Sequence, residues 1–183
     1  MTSNFQHLKT LLDHNQLNIT LQRLAHQLVE NHLDFHDTVI IGLQPRGIWL
    51  SNRIAKILKD ITGGKTIDYG KLDITFYRDD VHQAANLQVP SQTDIPFSIE
   101  NRSVILVDDV LHTGRTIRAA MDALLDFGRP KQVELLVLID RHYSRELPIQ
   151  PDYIGQSVDT IITQKVKVFW QEKDEKDEVV LLD

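Results

Sequence analysis

The chain has 183 residues, a length that favours one domain, or one domain with a small appendage. Hydrophobic residues make up 42% and charged residues 25%, as in ordinary soluble proteins, and the absence of cysteine excludes disulfides, thiolate metal sites and cysteine nucleophiles. The net charge of −6 argues against a nonspecific polyanion binder, and without a basic leader or a long apolar run we expect a cytoplasmic protein without membrane contact.

Hydrophobic spacing predicts a helix, a strand and a second helix in the first third of the chain. The first helix is expected after Asn18 as N-cap, because apolar residues recur at helical spacing over residues 21–29. Residues 38–43 (TVIIGL) form a short apolar strand, and the loop 44–47 follows it. A helical pattern comes next and ends at the glycine pair 63–64.

The middle of the chain continues the alternation of strands and helices. Residues 72–77 (LDITFY) alternate with the period of a half-exposed strand, whereas residues 78–100 are polar and typical of a functional loop. Apolar strands are predicted over residues 103–107 and 133–139, with a helix over residues 115–127 between them.

This alternation predicts an α/β protein with a mostly parallel sheet flanked by helices. In such sheets ligands bind at the carboxyl ends of the strands, so the loops after residues 43, 107 and 139 matter most. The charge-dense run 172–178 (EKDEKDE) is expected to be a solvated turn between two C-terminal strands.

One motif carries most of the chemistry: residues 104–116 read VILVDDVLHTGRT. Backbone N–H groups at the helix start, with a glycine and two hydroxyls, can form a pocket for a phosphate monoester. The paired carboxylates of Asp108 and Asp109 would repel that phosphate, but they can accept hydrogen bonds from vicinal sugar hydroxyls. The loop therefore matches the two ends of a ribose 5-phosphate.

Parts of this motif are compatible with other kinds of site. A Walker loop requires GxxxxGK[ST] and a dinucleotide fingerprint requires GxGxxG, and neither pattern is present. A phospho-acceptor site of the receiver type, or a Mg²⁺ site, stays open from the carboxylates alone. A helix merely capped by Thr113, with acids near its positive end, is the simplest alternative.

The motif resembles the phosphoribosyl pyrophosphate (PRPP) signature of the type I phosphoribosyltransferases. Further segments resemble, within that family, the pyrimidine operon attenuation regulators that are also uracil phosphoribosyltransferases: LDITFYRDD (72–80), TDIPF (93–97), MDALLDFGRP (121–130), RELPI (145–149) and DYIG (152–155). The resemblance implies a single phosphoribosyltransferase domain over residues 1–183. It also implies a flexible catalytic loop at about 78–100 and a small hood at about 141–165.

The resemblance implies transfer of a ribosyl 5-phosphate from PRPP to uracil, giving UMP and pyrophosphate. Asp108 and Asp109 would contact the ribose hydroxyls and stabilise positive charge on the sugar in the transition state. Arg78, with Asp79 and Asp80 beside it, would lie on the loop that closes over PRPP, and its guanidinium would reach the pyrophosphate. Mg²⁺ would be held mainly by PRPP, without direct protein ligands.

The remaining PRPP contacts are implied in two loops. Arg46, between Pro45 and Gly47, would bind pyrophosphate together with backbone amides, although the family usually has threonine or serine where Pro45 stands. The 5-phosphate loop would comprise Val110, Leu111, His112, Thr113, Gly114, Arg115 and Thr116.

The base site would lie in residues 141–153, where the sequence has one residue more than the common family form. Transfer to a purine or to orotate therefore stays open as an alternative to uracil.

The resemblance also implies UMP- or UTP-responsive binding to the leader of pyrimidine operon mRNA, which regulates transcription termination. Arg23, His26 and Lys165 match positions associated with RNA contact, whereas Gln22 and Gln150 depart from the family pattern. An RNA-binding nucleotide sensor with little catalysis is the rival hypothesis. The family also implies a homodimer or a higher homo-oligomer.

Overall fold

A computed structural model describes residues 7–79 and 90–183. Its helices and strands, in chain order, are β1 (His7–Leu12), α1 (His14–His32), β2 (Thr38–Leu43), α2 (Gly47–Ile61), β3 (Asp68–Leu72), β4 (Ser103–Leu111), α3 (Arg115–Leu124), β5 (Gln132–His142), β6 (Tyr153–Asp159), β7 (Lys165–Phe169), α4 (Gln171–Asp174) and β8 (Glu178–Leu182).

Five parallel strands form the central sheet in the order β3-β2-β4-β5-β6. Both faces of this sheet are covered, as the apolar strands predict. Along β4, Ile105 and Val107 pack in the core with α1 and α2, whereas Val104 and Leu106 pack in the core with α3. The predicted α/β sheet flanked by helices is confirmed.

The first helix begins earlier than predicted, because its N-cap is Asp13 and not Asn18. The Asp13 carboxylate accepts a hydrogen bond from the Gln16 backbone N–H at 2.9 Å, and the Gln16 side chain accepts one from the Asp13 N–H at 3.0 Å. This reciprocal capping box stabilises the helix start one turn ahead of the apolar stripe.

The predicted strand over residues 72–77 is wrong beyond Leu72, where β3 ends. The Asp73 carboxylate accepts a hydrogen bond from the Thr75 N–H at 2.6 Å, a local turn that competes with strand pairing. A 3₁₀ turn follows at Thr75–Tyr77 and leaves Phe76 84% exposed.

β4 is longer than predicted, and Asp108 and Asp109 lie within it and not in a loop. The reason is continued pairing with β5, in which Asp108 lies opposite Val137 and Leu111 lies opposite Asp140. The following helix, α3, ends at Leu124, three residues before the predicted end.

A second, antiparallel sheet in the order β1-β8-β7 joins the two ends of the described chain. β1 was not predicted. β7 begins at Lys165, the last residue of the 141–165 range predicted for the hood, and the rest of that range contains the end of β5, the whole of β6 and the connections around them. No helix in the described ranges is both long and apolar enough to span a membrane.

Candidate active site

The loops that follow β2, β4 and β5 meet at the carboxyl edge of the central sheet, where the alternating pattern predicts a site. Two cavities open there. The larger, of about 530 Å³, is lined by Arg78, Asp79, Asp108, Val110, Leu111, His112, Thr113, Gly114, Arg115, Thr116 and Glu146. The structure thus brings the predicted 5-phosphate loop together with Arg78 and one of the paired acids.

The paired acids are both buried, with Asp108 7% and Asp109 5% exposed. The Asp109 carboxylate accepts a hydrogen bond from Arg46 Nε at 2.8 Å, and Asp108 Oδ1 accepts one from the Asp109 N–H at 2.9 Å. Burial raises the pKa of Asp108 well above its ordinary value, and the adjacent Asp109 charge raises it further. These surroundings therefore favour the protonated form of Asp108.

Arg46 lies in the loop between β2 and α2, where the peptide bond from Gln44 to Pro45 is cis. Besides its ion pair with Asp109, Arg46 donates from Nη2 to the Val168 carbonyl at 2.7 Å. Gly47 begins α2 so close to β4 that a Cβ there would lie 2.3 Å from the Val107 carbonyl oxygen. The close approach of α2 to β4 positions Arg46 beside the paired acids.

The phosphate loop begins α3, a ten-residue helix whose N-terminal amides face the larger cavity. Gly114 is its N-cap, with φ of +93°, a conformation that suits glycine. Arg78 Nη1 donates to Thr116 Oγ1 at 3.3 Å, which places this arginine across the mouth of the loop. The loop can thus present backbone N–H groups, hydroxyls and a guanidinium to one anion.

Ion pairs close the cavity on one side, and two of their members, Glu146 and Arg118, were not singled out by the sequence. Arg115 pairs with Glu146 at 2.7 Å and with Asp79 at 3.0 Å, and Arg118 also pairs with Asp79, at 3.2 Å. The backbone N–H of Glu146 donates to the Thr113 carbonyl at 3.0 Å. The RELPI segment was the available signal for Glu146, but its partner in the phosphate loop depends on how the chain folds.

The second cavity, of about 480 Å³, lies in the segment predicted to hold the base. It is lined by Asp140, Arg141, His142, Tyr143, Arg145, Pro148, Ile149 and Gln150. Arg145 joins the two cavities, because one guanidinium nitrogen donates to Asp140 and another to the backbone carbonyl of His112. The side chain of Arg141 is turned inward and donates to Thr160 Oγ1 at 3.0 Å.

A third cavity, of about 390 Å³, lies beside the loop that carries Arg46. Gln44, Ile48, Lys71, Gln92 and Asp94 line it. Lys71 brings a cation to this side of the site, and the sequence had not marked it as a site residue.

The residues predicted to contact RNA lie away from these cavities, on two elements. Arg23 and His26 are exposed on α1, and Lys165 is exposed at the start of β7. The Arg23 guanidinium donates to the carbonyls of Ile154, at 3.0 Å, and of Gly155. Arg23 therefore binds the edge strand β6 while its side chain stays open to solvent.

The predicted catalytic loop is described only in part. Arg78 and Asp79 line the larger cavity, but Asp80 and the residues up to 89 lie outside the described residues. Within residues 7–79 and 90–183, no three or more His, Cys, Asp or Glu side chains are grouped so that they could hold a metal ion.

Comparison with known proteins gives one family. Residues 7–173 match the Phosphoribosyl transferase domain. The Bifunctional protein PyrR of Elusimicrobium minutum is 46% identical over 95% of this chain and 96% of its own length, and that of Pelotomaculum thermopropionicum is 45% identical over 94% of each.

Solved structures support the same fold at much lower identity. A hypoxanthine-guanine phosphoribosyltransferase from Bacillus anthracis superimposes with a TM-score of 0.71 at 17% identity, covering 96% of this chain and 98% of that chain. A hypoxanthine phosphoribosyltransferase of Trypanosoma cruzi gives a TM-score of 0.71 at 15% identity, covering 96% and 97%. At this identity the likeness concerns the fold and not the base.

Proposed function

The chain belongs to the phosphoribosyltransferase family and, within it, groups with the bifunctional PyrR proteins; on that premise we propose that it transfers the ribosyl 5-phosphate of PRPP to uracil. The products are UMP and pyrophosphate. The observation that carries the proposal is the segment from β4 to α3, on which a buried acid pair is followed directly by the anion pocket of the larger cavity. This spacing suits a sugar that carries a phosphate on its 5′ carbon.

The proposed binding mode assigns each part of PRPP to one part of the site. The 5-phosphate takes the N-terminal amides and hydroxyls of α3, from Thr113 to Thr116. The ribose hydroxyls donate to carboxyl oxygens of Asp108 and Asp109, of which Asp108 lines the larger cavity. The pyrophosphate takes Arg46 from one side and Arg78 from the other, since a guanidinium can bind two phosphate oxygens at once.

The acid pair lowers the barrier because the reaction passes through an oxocarbenium-like state. Positive charge on the ribose is larger in that state than in PRPP, so a nearby carboxylate stabilises the transition state more than the substrate. Burial strengthens this interaction, because few water molecules screen it. The contact with Arg46 at 2.8 Å orients the Asp109 carboxylate for this role.

Mg²⁺ enters with PRPP as part of the substrate. Its ligands would come mainly from the phosphates of PRPP and from water, without direct protein ligands, since Mg²⁺ keeps several waters when it binds substrate phosphates. It would supply charge neutralisation at the departing pyrophosphate, beside Asp108 and Asp109. The residues 78–100 would close over PRPP and exclude water, which competes with the base for the ribosyl group.

The direct test measures pyrophosphate release from PRPP and Mg²⁺ with uracil, orotate, hypoxanthine, guanine and adenine in parallel, with a control that lacks a base. We expect turnover with uracil alone. Turnover with a purine or with orotate would reassign the base. No turnover with any base, together with measurable UMP binding, would make the protein a nucleotide sensor on a transferase scaffold.

The second proposed function is UMP- or UTP-responsive binding of a pyrimidine operon mRNA leader. The relatives are called bifunctional, which favours a second activity, and the exposed side chains of Arg23, His26 and Lys165 are consistent with an RNA-binding surface. The net charge of −6 requires that such binding come from a local surface and not from the whole molecule.

Titration with the leader transcript at several salt concentrations tests this function. Lys165→Gln should weaken binding and reduce the slope of log K against log salt by about one. Lys59→Gln, an exposed lysine on α2, is the matched control and should change neither value. Equal effects of the two substitutions would contradict the assigned surface.

Assembly and location complete the proposal. We expect a homodimer or a higher homo-oligomer, which sedimentation equilibrium would detect, and a cytoplasmic location, where PRPP and nascent mRNA are both available. A monomer at all concentrations would contradict the first expectation.

A further inference from the structure

The transfer to uracil requires a proton acceptor, and the larger cavity offers few. When N1 of the base bonds to C1′ of the ribose, the hydrogen on N1 must leave as a proton. A side chain takes such a proton well when it is largely unprotonated at working pH and lies within reach of the reacting atom. The acceptor therefore belongs between the ribose and the base.

His112 lies between the two cavities. It lines the larger cavity, and its backbone carbonyl accepts a hydrogen bond from Arg145, which lines the second. Arg145 also binds Asp140 at the end of the neighbouring strand, so the backbone of His112 is held from the base side. The residue that joins the phosphate loop to the predicted base pocket is thus a histidine.

The other titratable groups of the larger cavity are occupied. Arg78 and Arg115 are guanidinium groups, which hold their protons. Asp79 and Glu146 are paired with arginines.

Asp108 is buried beside another carboxylate, and these surroundings favour its protonated form. Among the described residues that line this cavity, His112 alone combines solvent access with a ring nitrogen that can accept a proton.

The charges around His112 favour the neutral ring. Partial desolvation lowers the pKa of His112, and the charges of Arg141 and Arg145 lower it further, whereas Glu146 acts in the opposite direction. The net shift is downward from the ordinary histidine value of about 6.5. At neutral pH the imidazole is therefore available as a base.

We propose that His112 is the general base that takes the N1 proton of the pyrimidine during transfer. The N1–C1′ bond forms as the bond from C1′ to the pyrophosphate oxygen breaks, and the electron pair of the broken bond leaves with pyrophosphate. The N1 proton passes to a ring nitrogen of His112 and goes to solvent after the product leaves. This assignment rests on the proposed transfer to a pyrimidine.

The test compares wild type with His112→Gln and His112→Asn, both of which keep a polar side chain without a basic nitrogen. We expect kcat/KM for uracil to fall about 10²-fold, the lower end of the range for general acid–base catalysis, with KM for PRPP little changed. In wild type, kcat/KM should fall as pH drops through the lowered histidine pKa, and both variants should lack this acid limb.

A nucleobase with a more acidic N1–H distinguishes proton transfer from a purely structural role of His112. 5-Fluorouracil loses its N1 proton more readily than uracil, so the deficit of His112→Gln should shrink with it. His36→Gln, an exposed histidine in the loop between α1 and β2, is the control and should behave as wild type.

A wild-type enzyme that uses uracil while both variants keep normal turnover, or keep the acid limb, would overturn the role of His112 alone. An equal deficit with both bases would also overturn it. A wild-type enzyme without activity on any pyrimidine would overturn the proposed function itself, and the two failures are therefore distinct.

Discussion

Two carboxylates that are adjacent in sequence and both buried cannot ionise independently. The Asp109 carboxylate accepts a hydrogen bond from the Arg46 guanidinium at 2.8 Å, whereas the Asp108 carboxylate accepts one from the Asp109 N–H at 2.9 Å. Burial and then the neighbouring Asp109 charge raise the pKa of Asp108 well above its ordinary value. Arg46 orients the carboxylate of Asp109 through the hydrogen bond from Nε.

Asp109→Asn removes that anion and keeps nearly the same shape. We expect turnover to fall by about 10²-fold, the size of a lost preorganised electrostatic contact. Pyrophosphate release under saturating PRPP and uracil measures the effect, and a thermal melt serves as the folding control. Near-normal turnover of a folded variant would contradict the role given to Asp109.

Asp108→Asn should raise stability at neutral pH, since it removes a buried group whose charged form is disfavoured. Because burial and the charge of Asp109 raise the folded-state pKa of Asp108, the folded protein binds this proton more tightly than the unfolded chain does. Its contribution to stability is complete below the unfolded pKa of about 4 and is lost as pH rises through the folded pKa.

Denaturant unfolding at several pH values tests this expectation. The stabilising effect of Asp108→Asn, relative to wild type, should be largest at alkaline pH and should shrink as pH falls toward 4. A stabilisation by Asp108→Asn that grows as pH falls would contradict this expectation. Turnover should fall in the same variant, an example of a functional group that costs stability.

At the scale of elements, the site depends on how closely α2 approaches β4. A Cβ on Gly47 would lie 2.3 Å from the Val107 carbonyl oxygen and 2.9 Å from the Asp108 Cα, and both contacts are with backbone that cannot turn aside. Gly47→Ala should therefore cost about 2 kcal/mol, as overpacking typically does, and should separate Arg46 from Asp109.

Gly63→Ala is the matched control for this substitution. Gly63 has φ of +69°, but a Cβ there meets nothing within 4 Å, so the cost should be about 1 kcal/mol of backbone strain, and turnover should be unchanged. Chemical denaturation and pyrophosphate release separate the two effects. Equal activities in both variants would contradict the importance of this contact.

A second contact between elements, made by ion pairs of Arg53, joins α2 to the segment after β7. Arg53 donates to Glu172 at 2.7 Å and to Asp177 at 2.7 Å, and its guanidinium lies 5.0 Å from the Trp170 ring centroid. Asp177 is only 5% exposed in its side chain, so the charge-dense run predicted to be a solvated turn is in part buried.

Arg53→Ala should lower the free energy of unfolding by about 2 kcal/mol, since it removes hydrogen bonds between charged groups. Hydrogen bonds from Arg53 hold the pKa of Glu172 below its ordinary value, and they outweigh burial to do the same for Asp177. This contact therefore stabilises the fold above the unfolded pKa of about 4, and this stability is lost as pH falls through the lowered values.

Urea unfolding at pH 7 and at pH 3 measures this dependence. The difference between Arg53→Ala and wild type should shrink in acid. Lys176→Ala, which breaks an exposed pair with Glu178, should cost less than about 1 kcal/mol at either pH. A deficit of Arg53→Ala that persists unchanged in acid would show that packing, and not charge, accounts for it.

Elements with continuous apolar runs could be predicted from the sequence, and elements decided by one polar side chain could not. Residues 38–43 are buried along their whole length, so their composition alone indicates a central strand. Alternation over residues 72–77 had the right period, but the Asp73 carboxylate captures a backbone N–H and ends the strand. Asp13 likewise moves the start of α1 ahead of the apolar stripe.

At the scale of the whole molecule, the three-stranded sheet holds the two ends of the described chain together. Leu12 of β1 lies opposite Val179 of β8 and is buried in the core that contains α1 and α2. Leu12→Ala should therefore cost about 3 kcal/mol, within the range for large-to-small core substitutions.

The control for this substitution is Ile162→Ala, at a side chain that is 91% exposed. It should change the unfolding free energy by no more than about 0.5 kcal/mol. Thermal or urea unfolding compares the two. A cost of Leu12→Ala as small as that of the control would mean that β1 adds little to the fold.

Separation along the chain explains which parts of the site could be predicted from the sequence. The arrangement of residues 108–116 could be predicted, because the end of the strand, the loop and the start of the helix are consecutive in sequence. Arg46 was expected near pyrophosphate, but its bond to the Val168 carbonyl joins segments 122 positions apart. Glu146 and Arg145 reach the phosphate loop through packing that no local pattern encodes.

The small sheet can form only late in synthesis on the ribosome, because its strands come from both ends of the described chain. β1 emerges before every other described strand and β8 after all of them, with the contact between Thr10 and Glu178 spanning 168 positions. β1 therefore keeps an unpaired edge until synthesis has passed the central sheet. Val168, which holds Arg46, arrives in the same late stretch, so a truncated nascent chain would have the parallel sheet without an assembled catalytic centre.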